Sequence, residues 1–491
     1  PPRTINRNDR LINDDVIQQE KPKILVPGVH QDDSDVTHCQ SVSMFADDVL
    51  SSLPPDLIYV RSHIPGEIVG NPGKHRWLEL NENKMRLRID DHLEMVQWRE
   101  SKDGVRFPGF MPCTKDWAGL VIAACASSER CRTLDLITNY PVYLPGWRRA
   151  EPGWHDGVYY DEPDDLRGIS SIRDFEEIRY TLDELVTDFP FADEASKHNY
   201  YGLLLTPLVY PAIRANRPLH LITASLERTG KSKLAEDVLG GIILGSPTPA
   251  MQISGTDEER DKRILALLLQ GGTLVHLDNL PRKLDSAALA SMLRARVYQG
   301  RRLGSTHILS LPNNLTVVAT GNNTVCSSEM AKRIIPIRLQ PMTSRPEDRT
   351  TFQHPDLKGF ITENRRRIMA CLLGMIENWI DRGCPPHPQP LGGFEEWSRA
   401  VGGILDVNLL QQWRKNEKAW RGMSDVEGEQ RVALVKAWWD RAKTADMTTD
   451  EVLRIAEDLE GFEWIFSVNT QRGRQIRMGK WLKQHADTPI D

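Results

Sequence analysis

The chain has no apolar run of membrane length. Its longest, such as residues 120–126 and 264–269, fall far short of the roughly 18 residues that suggest a membrane span. Cysteine is sparse as well. Seven cysteines (Cys39, Cys113, Cys125, Cys131, Cys326, Cys371 and Cys384) are scattered through 491 residues without a CxxC pair. That argues against a disulfide framework or a zinc site and makes a reducing compartment the default. There is no excess of positive charge either: the formal charge of −6 gives no global attraction to a polyanion, so any such contact must come from local basic patches. No secretory hydrophobic segment opens the chain. Its first residue is Pro, so the expectation is a removed initiator or residues upstream. What remains, with 40% hydrophobic and 26% charged residues, is the composition of an ordinary soluble chain long enough for about three domains.

The most informative stretch is residues 219–238, LHLITASLERTGKSKLAEDV. Residues 220–224 are strand-like, and Thr229-Gly230-Lys231-Ser232 then open a helical pattern with Leu234, Ala235 and Val238 on one face. Strand, loop and helix start is the context of G-x-x-x-x-G-K-[ST]. There, loop amides and the helix N-terminus cradle phosphate oxygens, the Lys neutralises charge, and the hydroxyl ligates Mg²⁺. Gly230, Lys231 and Ser232 fit this pattern, while Ser225 stands at the first glycine position. An ordinary Gly-Lys helix entry is the competing reading.

Two further strands end on polar residues. Residues 272–279 form an apolar run closing on Asp278-Asn279, and a carboxylate at a strand end beside a phosphate loop is placed to hold Mg²⁺. Residues 315–323 are a β-branched run closing on Gly321-Asn322-Asn323, which also reads as a plain turn. Between them lie a helix over 289–297 and the basic Arg301-Arg302. Next comes a hairpin-like pair, 307–311 and 315–320, around Pro312-Asn313-Asn314. Arg301 and Arg302 are suited either to a phosphate backbone or to a solvated surface. Arg333 and Arg338 flank a last apolar strand.

The remaining chain divides by pattern into a polar arm (1–40), an α+β accessory domain (41–165), a helical collar (166–216), the nucleotide domain (217–345), a helical lid (346–405) and a C-terminal domain (406–491). The aromatic, turn-rich residues 140–157 read as core aromatics or as a stacking surface. The collar's second helix, 194–215, is expected to be interrupted by Pro207 and Pro211. In the lid, one of Arg365, Arg366 and Arg367 is a candidate γ-phosphate contact, and Arg365 is taken as that residue. In the C-terminal domain, Thr448-Thr449-Asp450-Glu451 has the spacing of a capping box. Residues 469–485 carry five bases, among them Arg474, Arg477 and Lys480, and no acid. Helix, short helix and basic helix is the layout of a helix-turn-helix or winged-helix module that contacts DNA, or of a packing element.

With these stretches in order, residues 130–485 resemble the helicase module of primase-helicases of phages and mobile elements, AAA+ ATPases related to superfamily 3. The resemblance rests on Tyr140-Pro-Val-Tyr, Pro152-Gly153-Trp154-His155-Asp156-Gly157, Asp188-Phe189-Pro190-Phe191, Thr229-Gly230-Lys231-Ser232, Leu277-Asp278-Asn279, Ala319-Thr320-Gly321-Asn322-Asn323 and Arg333. It implies an α/β P-loop NTPase (AAA+) core with an α+β N-terminal domain and an α-helical, winged-helix-like C-terminal domain. It further implies a homo-oligomeric ring, usually a hexamer, that hydrolyses ATP with Mg²⁺ and draws one DNA strand through a central channel, in the cytoplasm of a bacterial host and with a primase as possible partner. Carried over, Thr229, Gly230, Lys231 and Ser232 bind phosphate, Ser232 and Asp278 hold Mg²⁺, Asn322 is the sensor that orients water, and Arg333 is the arginine finger. Residues 1–165 show no primase signature.

One departure matters for chemistry. Asn279 follows Asp278 where many AAA+ proteins place Glu, and an amide cannot act as a general base. Glu259, in the charged helix start 257–263, is the candidate replacement. Two rival readings stand beside the motor: an ATP-binding initiator or scaffold that hydrolyses little, and a non-replicative signalling or defence ATPase.

Overall fold

The computed structural model describes residues 21–32, 34, 36–252, 257–301, 308–341, 343–424 and 426–485. Contacts divide the chain into two units, one formed by Pro1–Val69 with Arg76–Leu134, the other by Gly70–His75 with Asp135–Asp491.

The first unit is α+β. A three-stranded sheet (Lys23–Leu25, Glu94–Glu100, Arg106–Met111) and a four-stranded sheet (Arg76–Glu79, Ile64–Val69, Tyr59–Arg61, Arg132–Thr133) accompany the helices Val42–Ser52, Glu82–His92 and Lys115–Cys125. Each helix starts on a side-chain cap, from Ser41, Asn81 and Thr114, which accepts one of the N–H groups that the first turn leaves unpaired. Their apolar faces meet in one core around Phe45, Val49, Met85, Ile89 and Val121.

The second unit is built on a five-stranded parallel sheet: β1 (Leu219–Ala224), β2 (Ala250–Gln252), β3 (Leu274–Leu280), β4 (Thr316–Asn322) and β5 (Ile334–Leu339), in the order β2-β3-β4-β1-β5. β1 is buried along its whole length, and β4 is buried except at its last residue, as the near-continuous apolar runs require of strands covered on both faces. The C-terminal ends of β1, β4 and β3 therefore lie side by side, with Ala224 paired to Asn322.

Two expectations are corrected here. Residues 315–320 do not pair with 307–311. The strand Ile308–Pro312 pairs antiparallel with Val297–Arg301, while Thr316–Asn322 enters the central sheet. The Pro312-Asn313-Asn314 segment is held instead by side chains: Asn313 Nδ2 donates to Met292 O (2.7 Å) and Ala295 O (3.0 Å), and Tyr210 donates to Asn314 Oδ1 (2.9 Å). The helix Glu194–Ile213 runs unbroken through Pro207 and Pro211. Leu203, Leu204, Leu205, Leu208 and Val209 are all fully buried in it, and that packing offsets the about 3 kcal/mol each internal proline costs.

Of the aromatic stretch, Tyr140 and Tyr143 are buried core aromatics, and the half-buried Trp147 meets Trp379 edge-on at 4.5 Å. The helix Leu357–Asp381 carries Arg365 to Arg367, and Glu395–Val407 packs against it. After the helix Glu417–Ser424, the C-terminal part comprises the helices Val426–Ala442, Thr449–Glu457, Glu463–Phe466 and Gln471–His485 around Leu434, Val452, Phe462, Met478 and Trp481. The capping box is present: Glu451 N–H donates to Thr448 Oγ1 (3.3 Å) and Thr448 N–H to Glu451 Oε2 (2.7 Å). The described residues of this part form helices only, with no β wing among them.

Candidate nucleotide-binding site

Where β1 ends, residues 225–230 turn back into a helix that begins at Lys231, loosens into a π turn over Leu234–Val238 and continues to Ile243. Two residues of the loop are left-handed, Arg228 (φ 57°) and Gly230 (φ 90°). Ser225 does not have positive φ. The first glycine of the pattern is thus not required by the backbone here, because the turn is made three residues later, at Arg228. Gly230 is required, since a β-carbon on it would lie 3.2 Å from the Phe189 ring, in a conformation side chains disfavour.

Lys231 is 8% exposed, and its Nζ donates to Leu226 O (3.0 Å) and Thr229 Oγ1 (3.2 Å) across the loop. Burial pushes this ammonium below its usual pKa, against the pull of Glu227. A phosphate seated on the helix N-terminus would give the ammonium the counter-charge that the loop's carbonyl and hydroxyl do not supply.

Beside the loop, Asp278 closes β3, with Ser232 Oγ 3.5 Å from its Oδ1. The register of β3 on β4 shifts after Leu277, and Asn279 is left-handed (φ 53°) within that irregularity. Asn279 N–H donates to Thr320 Oγ1 (3.2 Å), and the Thr320 hydroxyl lies 2.8 Å from Asp278 Oδ1. His276, two residues before Asp278, is fully buried, with Nδ1 2.9 Å from Glu236 Oε1 and Nε2 2.9 Å from Thr320 Oγ1. Glu236, His276 and Asp278 each offer a ligand atom within 4.8 Å of the others. His276 is engaged by Glu236 and Thr320, so the pair facing the cleft with oxygen donors suited to a hard divalent cation is Ser232 and Asp278.

On β4, Asn322 pairs with Ala224, and its Oδ1 is buried without a hydrogen-bond partner among the described residues. Asn323 donates from Nδ2 to Ser225 O (3.2 Å), tying the end of β4 to the start of the loop. An orphaned acceptor at this point costs free energy unless something donates to it, and it lines the cleft described next.

Lys231, Ser232, Asp278 and Asn322 open into one cleft of about 1390 Å³. The segment 343–357 also lines it; most of that segment falls at the start of the expected helical lid, where no site residue was expected. Asp188 organises that segment, accepting from Gln353 N–H (2.9 Å), His354 N–H (2.9 Å) and Arg349 NH2 (3.0 Å), while Arg349 NH1 donates to Asp188 O (2.6 Å). The signal available was the Asp188-Phe189-Pro190-Phe191 motif, whose partners lie more than 160 residues away.

Comparison with known proteins gives little beyond this. The sequence matches no protein-family model and no curated protein. Among solved structures it is similar to the apo A form of the NrS-1 C-terminal region, at 12% identity over 83% of this chain and 80% of that one, with a TM-score of 0.43. A second structure of that region gives 11% identity over 81% and 92%, with a TM-score of 0.36. JCV helicase with a bound thiazolopyridine compound gives 13% identity over 51% and 72%, with a TM-score of 0.23. At these values the functional reading rests on the residues of the cleft.

Several expected site residues are not brought to that cleft. Arg365 is buried, and its guanidinium donates to Ile242 O (3.0 Å), Ile243 O (3.0 Å) and Asp165 Oδ2 (2.5 Å), which occupies it in joining its helix to the end of the 231–243 helix. Glu259 lies on the exposed side of the helix Asp257–Gln270, paired with Lys262 (3.3 Å) and outside the cleft lining. Arg333, expected to act on a neighbouring copy's site rather than in this cleft, precedes β5, whose first residue pairs with the start of β1, so it sits at the opposite end of the sheet from the loop. It is 8% exposed and bonded to Glu329 O (2.6 Å) and Oε1 (2.8 Å).

The expected DNA-contacting bases are dispersed. Arg301 is exposed at the end of Val297–Arg301, and Arg302 lies outside the described residues. Arg474 donates to Val468 O (2.8 Å) beneath Phe466, and Arg477 to Trp464 O (2.6 Å) and Ser467 Oγ (2.9 Å). Lys480 is exposed on the same helix.

Proposed function

We propose that this chain is a Mg²⁺-dependent ATP hydrolase of the P-loop, AAA+ class that works on DNA as the helicase of a phage or mobile element. The observation that carries the reading is the meeting of Lys231 and Ser232, Asp278, and Asn322 at the adjacent ends of β1, β3 and β4 around one cleft. In this reading the loop amides and Lys231 hold the phosphates, Ser232 and Asp278 hold Mg²⁺, and Asn322 holds the attacking water through its unpaired Oδ1. The cation supplies charge neutralisation at the transferred phosphoryl group. The chain assembles as a ring, usually a hexamer, on single-stranded DNA, and Arg333 acts from one copy on the ATP of the next. The basic residues Arg301, Arg302, Arg474, Arg477 and Lys480 meet the DNA backbone. Primase activity, where needed, comes from a partner, and the setting is a bacterial cytoplasm.

Asn279 favours a second reading, an ATP-binding initiator or scaffold that turns over slowly. No carboxylate follows Asp278, and Glu259 is not among the residues lining the cleft. Steady-state ATP hydrolysis with and without single-stranded DNA, on this chain and on Lys231→Ala, separates the two. Several-fold stimulation by DNA that vanishes in the variant supports the motor. Nucleotide binding without turnover supports the scaffold, and absence of nucleotide binding sinks both.

A further inference from the structure

Behind Asp278 runs a chain of polar groups drawn from three elements, buried at His276 and Thr320 and half-buried at Glu236. Glu236 lies in the π turn Leu234–Val238, one turn beyond Ser232. His276 shares a face of β3 with Asp278. Thr320 stands on neighbouring β4. The links are Glu236 Oε1 to His276 Nδ1 (2.9 Å), His276 Nε2 to Thr320 Oγ1 (2.9 Å) and Thr320 Oγ1 to Asp278 Oδ1 (2.8 Å), with Asn279 N–H donating to the same hydroxyl (3.2 Å).

The hydrogens in this chain can be counted. An ionised carboxylate only accepts, so the His276 hydrogen sits on Nδ1, donated to Glu236. With that hydrogen on Nδ1, the neutral ring presents Nε2 as a lone pair to Thr320. Asp278 Oδ1 is also an acceptor. The Thr320 hydroxyl has one hydrogen, and two acceptors stand 2.9 and 2.8 Å from its oxygen.

We propose that His276, clamped by Glu236, is a positioning residue for the cation-binding carboxylate, giving the Thr320 hydroxyl a second acceptor to turn to when a divalent cation takes up Asp278. With His276 in place, Asp278 is held by Thr320 before the cation arrives and is released to it without leaving a buried hydroxyl unsatisfied. Without it, a cation that takes up the same Oδ1 leaves the Thr320 hydrogen no second acceptor to turn to. Hydrogen-bonded partners behind a metal-bound side chain are typically worth about 10–100-fold in metal affinity. The inference rests on the proposed role of Asp278 and concerns His276, Glu236 and Thr320, to which that role gives no part.

Two replacements of His276 divide the ring's contacts. The Gln amide falls near the place of Nε2 and keeps the Thr320 contact, whereas the Asn amide falls near Nδ1 and keeps only Glu236. The measurement is the Mg²⁺ concentration giving half-maximal binding of a fluorescent ATP analogue, with binding in EDTA as the metal-free control. His276→Asn is expected to raise that concentration about tenfold with metal-free binding retained, and His276→Gln to restore most of the loss. Equal shifts in both variants, or none, overturn the proposal, because a packing role does not distinguish them. Should His276→Asn fail to fold, Glu236→Ala, which unclamps the ring, must raise the Mg²⁺ requirement while Glu236→Gln, which keeps the acceptor, restores it. A wild-type Mg²⁺ requirement in Glu236→Ala overturns the proposal equally. A parent chain that binds no nucleotide at all overturns the functional reading and this inference together; normal binding with unresponsive variants overturns this inference alone.

Discussion

The ring of Phe189 stands 3.2 Å from the point where a β-carbon on Gly230 would sit, on a residue whose φ is already 90°. The cleft wall and the loop are thus fitted to each other through the absence of a side chain. Gly230→Ala combines the left-handed penalty of about 1–2 kcal/mol with a tight contact. We expect it to abolish detectable nucleotide binding and lower the melting temperature. Adding Phe189→Ala should relieve the contact and recover part of the stability, but not the loop conformation. Wild-type nucleotide affinity in Gly230→Ala would show that the loop does not hold phosphate.

Asn279 is left-handed at the irregularity in β3, a conformation that Asn accepts more readily than Glu. Asn279→Glu, which writes the commoner AAA+ pair into the sequence, is therefore expected to cost about 1 kcal/mol and to leave turnover no faster than in the parent chain. Asn279→Gly should keep both stability and turnover. Thermal unfolding and steady-state hydrolysis check both; faster turnover in Asn279→Glu would refute the expectation.

Arg365 separates a phosphate contact from a structural pin. Its removal leaves the carbonyls of Ile242 and Ile243 without their buried donor, each worth about 1–3 kcal/mol. Arg365→Ala should lower stability by about 2–4 kcal/mol in denaturant titrations while changing nucleotide affinity little once the protein is folded. A stable variant with lost affinity would restore the lid role.

Acid should loosen the C-terminal helices before the central sheet. Donation from Gln471 and Gln475 holds the Asp450 carboxyl below its usual range, and donation from Thr448 does the same for Glu451. Groups with depressed folded values contribute stability above the ordinary carboxylate range. They lose it as pH falls from about 4 downward, because the unfolded chain takes up protons first. Hydrogen exchange of the Thr449–Glu457 amides, corrected for intrinsic rate, should show protection lost on acidification, and less of that dependence in Glu451→Gln. An unchanged pH dependence in the variant would remove the capping carboxylate as the cause.

What the sequence disclosed and what it hid follow the range of the interactions. β1, β3 and β4 were readable because strands covered on both faces need uninterrupted apolar residues, and the capping box because Thr448 and Glu451 are three residues apart. The pairing of Ile308–Pro312 was misread because β4 looks like the near partner while the true one, Val297–Arg301, lies upstream. Three consecutive arginines gave no sign of which would turn inward, since that depends on Asp165 and on carbonyls more than 120 residues away. His276 was invisible for the same reason: in an apolar strand it reads as core, and its partners are 40 and 44 residues distant.

The strand order has a consequence for how the protein is made. β1 is flanked by β4 and β5, both of which come later in the sequence. As the chain leaves the ribosome, Leu219–Ala224 therefore emerges with both hydrogen-bonding edges open and apolar side chains on both faces; one edge waits for Asn322 and the other for Leu339. The nascent chain cannot hold nucleotide in that interval, and the strand left with unpaired edges the longest on both sides is the one that leads into the phosphate loop.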